Sequence, residues 1–171
     1  MTCSECEKIK YKKNAVYEDE LVIAVLNEKP STGGHLMLLP KQHFTIIEQI
    51  PDETVSHLFT VANKLSVACF DTLGAQGTNI LIQNGVAAGQ KSSHASVHIV
   101  PRVENDGLNM QWNPIKVSEE ELKGVQMSIE SELENKEEKK EEIKEEVKKE
   151  EVIEEIPEEE NYLLKQLERI P

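Results

Sequence analysis

No stretch of this sequence approaches the roughly 20 consecutive apolar residues that a membrane-spanning helix needs, so no membrane association is expected. Cysteine is scarce. Cys3, Cys6 and Cys69 are too few for a disulfide framework, and a reducing cytoplasm is the expected compartment. The opening Met-Thr-Cys-Ser-Glu-Cys contains no apolar signal core, so secretion is not expected. Positive charge is in deficit as well. Over 171 residues, 19 Lys and Arg face 32 Asp and Glu, a net charge of −13. A field of that sign repels phosphate backbones and argues against a general DNA or RNA binder. No long-period repeat is present, which excludes a solenoid.

The charge is unevenly spread. Residues 117–171 carry 20 of the acids and 9 of the bases, whereas residues 1–116 are close to neutral. This shift divides the chain into a globular domain, 1–116, a Glu/Lys-rich helical or unstructured linker, 117–156, and a short amphipathic peptide, 157–171.

Within the first part, Val16-Tyr17 and Leu21–Leu26 read as strands around a tight turn at Glu18-Asp19-Glu20. Thr32-Gly33-Gly34 breaks the chain, and His35–Leu39 is a short strand stopped by Pro40. Residues 51–73 read as one amphipathic helix. Its apolar stripe is Val55, Leu58, Phe59, Ala62, Leu65, Cys69 and Leu73, and Gly74 is its stop. Thr78–Gln83 and His94–Pro101 are further strands, joined by a loop of small residues, Gly85–Ser93. Strands around one long helix, without strand–helix–strand repeats, predict an α+β fold with a mostly antiparallel sheet.

Strict alternation over His94–Val100 places His94, Ser96 and His98 on one strand face. The preceding loop offers glycines, amides, hydroxyls and Lys91, a set able to surround an anion with donors. At the other end of the body, Cys3-Ser4-Glu5-Cys6 has the C-x2-C spacing of two thiolates on one tetrahedral zinc. A redox pair has the same spacing, but no thioredoxin-like context follows it.

The run Gly89-Gln90-x-x-x-His94-x-Ser96-x-His98 resembles the signature of the histidine triad superfamily, in which the middle position is also histidine. Val16–Glu20, Leu26–Pro30 and Gly34–Lys41 with His43 resemble further blocks of that family in the same order. The resemblance spans roughly residues 3–112 and implies an α+β fold, a homodimer, and a purine nucleotide or dinucleotide as ligand. It implies cleavage at the α-phosphate of a dinucleoside polyphosphate or a nucleoside phosphoramidate. By the same resemblance Asn27 holds the ribose, and Gln83 and Gln90 contact phosphate. His98 bonds the scissile phosphate. Lys91, standing where the family has a small hydroxyl residue, faces extra phosphate charge. His43 and His94 complete a structural zinc site with Cys3 and Cys6.

The departure lies at Ser96, where the family nucleophile is a histidine. A hydroxyl needs a base beside it, and His98, two residues on and on the same strand face, is placed to serve as one. Ser96 and His98 are therefore the candidate catalytic residues of a hydrolase-like protein with weakened or altered activity. The alternative is a non-catalytic nucleotide-binding module whose tail engages a protein partner. Ser118-Glu119-Glu120-Glu121 opens a helix as a capping box. Leu122, Val125, Ile129 and Leu133 follow at helical spacing, and Leu163, Leu164, Leu167 and Ile170 form a second stripe near the end.

Overall fold

The computed structural model describes residues 3–154, with side chains described as far as residue 136. The expected terminal peptide, 157–171, lies outside the described residues. The chain divides into two compact units after Met110.

The first unit is a five-stranded antiparallel sheet with a helix on each face. Its elements are α1 (Ser4–Tyr11), β1 (Ala15–Glu18), β2 (Val22–Leu26), β3 (Leu36–Pro40), α2 (Asp52–Leu73), β4 (Gly77–Ile82) and β5 (Val97–Arg102). The strand order is β1-β2-β3-β5-β4. Asp19 closes the β1–β2 hairpin. Its Oδ1 accepts the Leu21 and Val22 backbone N–H groups, both at 2.9 Å. Its Oδ2 accepts Tyr17 Oη–H at 2.8 Å and faces His57 Nε2 of α2 at 2.7 Å, which ties the hairpin to the long helix.

Alternation on the central strands sorts the core into two layers. Val22, Ala24, Leu36, Leu38, Val97 and Ile99 pack with Leu58, Val61, Ala62, Leu65 and Cys69 of α2. On the other face Ile23, Val25, Met37 and Leu39 pack against Ile9 of α1. The α2 stripe is rotated from its expected position. Val61 and Ser66 are buried, whereas Phe59 and Leu73 turn outward with Val67 and Phe70. Gly74 ends α2 in the left-handed region, as expected.

Two further expectations are corrected. α1 was not foreseen, because Ser-Glu-Cys-Glu-Lys-Ile-Lys-Tyr has too few apolar residues to mark a helical period. The last strand begins at Val97 and not at His94. Before it, Ala95 N–H bonds Phe44 C=O at 2.7 Å, which pulls the 94–96 backbone off the sheet ladder.

The second unit contains α3 (Glu119–Glu154). Ser118 opens it as expected. The Ser118 N–H donates to Glu121 Oε2 at 2.9 Å, and the Glu121 N–H donates to Ser118 Oγ at 3.3 Å. Leu122, Val125, Ile129 and Leu133 are each more than half exposed. Among the described residues, no helix is long and apolar enough to cross a membrane.

Candidate functional site

Two clusters meet along residues 94–98. His94, which is 1% exposed, faces the two cysteines at the start of α1. Its Nε2–H donates to Pro40 C=O at 3.0 Å, an acceptor at the end of β3. That bond fixes the tautomer and leaves Nδ1 free as a ligand. Nδ1 lies 3.7 Å from Cys3 Sγ and 3.5 Å from Cys6 Sγ, and His43 Nδ1 lies 3.3 Å from Cys6 Sγ. All four donor atoms lie within 4.8 Å of one another. A tetrahedral ion with metal–sulfur and metal–nitrogen bonds of about 2.3 and 2.0 Å separates sulfur from nitrogen by about 3.5 Å. The observed spacings match that edge, so the Cys2His2 set can hold a metal ion. α1 supplies the geometry: Cys3 stands just before its first turn and Cys6 within it. Burial, reinforced by Cys3, pushes the Cys6 thiol up, a penalty that a bound cation removes.

The second cluster lines a cleft of about 570 Å³ on the α1 face of the sheet. His98 of β5 pairs in register with Met37 of β3, and His35 stands just before β3 with its ring 3.0 Å from His98. The hydrogen bonds run in one direction. Ser31 N–H donates to His35 Nδ1 at 3.1 Å, so His35 Nε2 carries a proton and donates to His98 Nδ1. His98 therefore carries its own proton on Nε2, 3.4 Å from Ser96 Oγ. Burial and the neighbouring His98 hold His35 down to about 4, and burial lowers His98 as well, so both rings are neutral at pH 7.

This direction bears on Ser96. The nearest nitrogen is a donor and not a base, so it cannot take the serine proton. The same N–H is well aimed at an anionic oxygen that enters the cleft. Asn27, Gln83, Gln90 and Lys91 also line the cleft. Asn27 follows β2, and its Oδ1 accepts Lys29 N–H at 2.9 Å. The Gln83 amide lies over Gly89, which has φ +88°, and a Cβ there would meet Gln83 Nε2 at 2.9 Å. Gln90 is committed to its own loop. Its Oε1 accepts Gly85 N–H at 2.7 Å, and its Nε2 donates to Thr45 and Ser92 C=O at 2.7 and 2.8 Å. Both amide protons are spent, so Gln90 braces the loop that carries Lys91.

The relay through His35 was not anticipated, since the sequence placed His35 only at the start of a short strand. Its place two residues before Met37 puts it on the His98 side of the sheet, but only the β3–β5 register reveals that.

A family model for the HIT domain matches residues 8–105. The chain belongs to the HIT domain family. A HIT family protein of known structure from Bacillus subtilis is 32% identical, with a TM-score of 0.71, over 77% of this chain and 96% of that one. A zinc-bound histidine triad protein from Mycobacterium smegmatis is 33% identical, with a TM-score of 0.61, over 67% of this chain and 85% of that one. The adenosine 5'-monophosphoramidase hnt1 of Schizosaccharomyces pombe is 29% identical over 135 residues, 77% of this chain and 98% of the relative.

Proposed function

We propose that this HIT domain binds a purine nucleotide in the 570 Å³ cleft and turns over the bond at its α-phosphate slowly at most. The S. pombe relative is a phosphoramidase, which supports a nucleoside phosphoramidate or dinucleoside polyphosphate as the ligand class. In this reading Asn27 holds the ribose, His98 Nε2–H donates to the α-phosphate, and Gln83 and Lys91 meet the remaining anionic oxygens. Preorganised donors of this kind stabilise phosphoryl charge without chemistry of their own. Gln90 acts through the loop.

One contact carries the reduced turnover: His98 Nε2 lies 3.4 Å from Ser96 Oγ, and the bonds from Ser31 through His35 assign that nitrogen the proton. A serine hydroxyl without a base is a poor nucleophile at neutral pH. His98 is then a phosphate donor, and Ser96 fills the nucleophile's place without its chemistry. Water attack on the bound nucleotide is the remaining route. Calorimetric titration with purine nucleoside monophosphates, with mass spectrometry of intact protein during incubation with a dinucleotide, tests this. Saturable binding with no nucleotidyl adduct is expected. An adduct on Ser96 contradicts the reading, and absence of binding removes it.

We assign zinc to the Cys2His2 cluster, in a structural role. The donor spacing and the zinc-bound M. smegmatis relative support that assignment. The free cysteines suit a reducing cytoplasmic setting. Exposed Ile80 and Leu81 on edge strand β4, with Phe59 and Phe70 on α2, support a homodimer that covers them. A second reading, a non-catalytic module with a protein partner on its tail, is favoured by the exposed apolar stripe of α3 from Leu122 to Leu133.

A further inference from the structure

Gln83 and Lys91, the groups assigned above to the outer phosphate oxygens, stand at the two ends of the turn 84–90 and line the cleft. Between them the chain closes on itself. Gly85 and Gly89 both stand at positive φ, 86° and 88°, and the Ala88 and Gln90 N–H groups both donate to Gly85 C=O at 3.1 Å. Gln90 Oε1 completes the ring by accepting Gly85 N–H at 2.7 Å. A turn bonded in this way moves as one piece, so its placement depends on the bonds that leave it.

Those bonds run to residues 45–48. At one end of the turn Gln90 Nε2 donates to Thr45 C=O at 2.7 Å. At the other end Asn84 makes two bonds. Its Oδ1 accepts Ile47 N–H at 3.0 Å, and its Nδ2 donates to Glu48 Oε1 at 2.6 Å. The charged acceptor strengthens the second bond, and the Asn84 amide holds the Glu48 carboxyl below its usual range. The receiving segment is itself fixed. Phe44 and Ile47 pack on the core beside buried Ile50. Thr45 N–H donates to Gln49 Oε1 at 2.9 Å, and Phe44 C=O accepts Ala95 N–H at 2.7 Å.

We propose that Asn84, seated on Ile47 and Glu48, is a positioning residue for the phosphate end of the cleft. It fixes Gln83, one residue before it, and the turn that leads to Lys91. Without its two bonds the turn is held at the Gln90 end, and Gln83 and Lys91 no longer converge on one anion. Preorganised donors lose their effect when the shell that spaces them loosens. The loss falls on the phosphate part of the ligand. The ribose end is built separately, with Asn27 Oδ1 held by Lys29 N–H at 2.9 Å. This inference rests on the reading of the cleft as a nucleotide site.

The test is calorimetric titration of the full, metal-loaded chain with adenosine monophosphate, and with adenosine by displacement. It compares the parent, Asn84→Ala, Asn84→Asp, and Asn84→Asp combined with Glu48→Gln. Metal content and circular dichroism are measured in each, because residues 45–48 follow the metal-cluster residue His43. Asn84→Ala is expected to weaken adenosine monophosphate binding about five- to tenfold and adenosine binding less than about twofold. Asn84→Asp keeps an acceptor for Ile47 N–H but sets two carboxylates against each other, so the loss should be at least as large. The combined variant exchanges donor and acceptor across the same contact, and affinity is expected to return to within about twofold of the parent. Unchanged monophosphate affinity in both single variants overturns the proposal. Equal weakening of both ligands also overturns it, as does a combined variant no better than Asn84→Asp. Binding of neither ligand by the parent removes the nucleotide site itself, and this inference with it.

Discussion

The metal cluster and the cleft share one short segment, residues 94–98, yet differ in completeness. On one side His94 joins Cys3, Cys6 and His43 in a four-donor set, its far nitrogen anchored on Pro40. On the other side the chain of bonds from Ser31 through His35 and His98 is equally ordered, but it ends on the hydroxyl of Ser96. The first is a full set of four donors, and the second has a serine where the family signature has its middle histidine. Scaffold and cleft therefore draw on different side chains of one segment, His94 for the first and Ser96 and His98 for the second.

The largest effect expected on one half alone is loss of the metal. Cys6→Ser, or chelation of the parent, should abolish metal retention and lower unfolding free energy by about 3 kcal/mol or more, measured by elemental analysis and denaturant titration. Full stability without metal would break the comparison, because the first cluster would then brace nothing. A smaller effect is expected from Gly89→Ala. The left-handed backbone and the approach of Gln83 to the missing Cβ should cost about 2 kcal/mol and weaken nucleotide binding, with metal content unchanged.

A pH series sharpens the contrast further. His35 sits at about 4 in the folded chain and near 6.5 when unfolded. Between those values the unfolded chain binds the extra proton. Stability should therefore fall as pH drops from about 6.5 to about 4, with His35→Asn removing that part of the slope. His35 should contribute no pH dependence to nucleotide binding from about pH 6.5 to 8, since that ring is neutral over the whole range. The smallest effect lies outside both clusters. Ser118→Ala breaks the capping box and should cost α3 about 1 kcal/mol, seen as helical circular dichroism, with the metal and cleft unaffected.

Much of this architecture is legible residue by residue. Asp19 in its turn, the span of α2 with Gly74 at its end, and the Ser118–Glu121 box are local devices, and each is written within a few residues of where it acts. The metal ligands are readable in part. Cys3 and Cys6 carry their own spacing, but His43 and His94 come from distant elements and were reached only through resemblance. What stayed hidden depends on pairing across the chain. The His35–His98 contact needs the β3–β5 register. The commitment of Gln90 needs the position of Thr45, 45 residues away. The outward turn of Phe59 reflects the angle at which α2 meets the sheet, which periodicity does not fix.

The claim that the cleft is intact and lacks only its nucleophile is tested most directly by one comparison. AMP release from adenosine phosphoramidate and from diadenosine triphosphate is measured for the parent chain and for Ser96→His. The account predicts that the histidine variant is at least about a thousandfold faster, with nucleoside monophosphate affinity within a few-fold of the parent. Rapid turnover by the parent, or no gain from histidine despite unchanged binding, would contradict it.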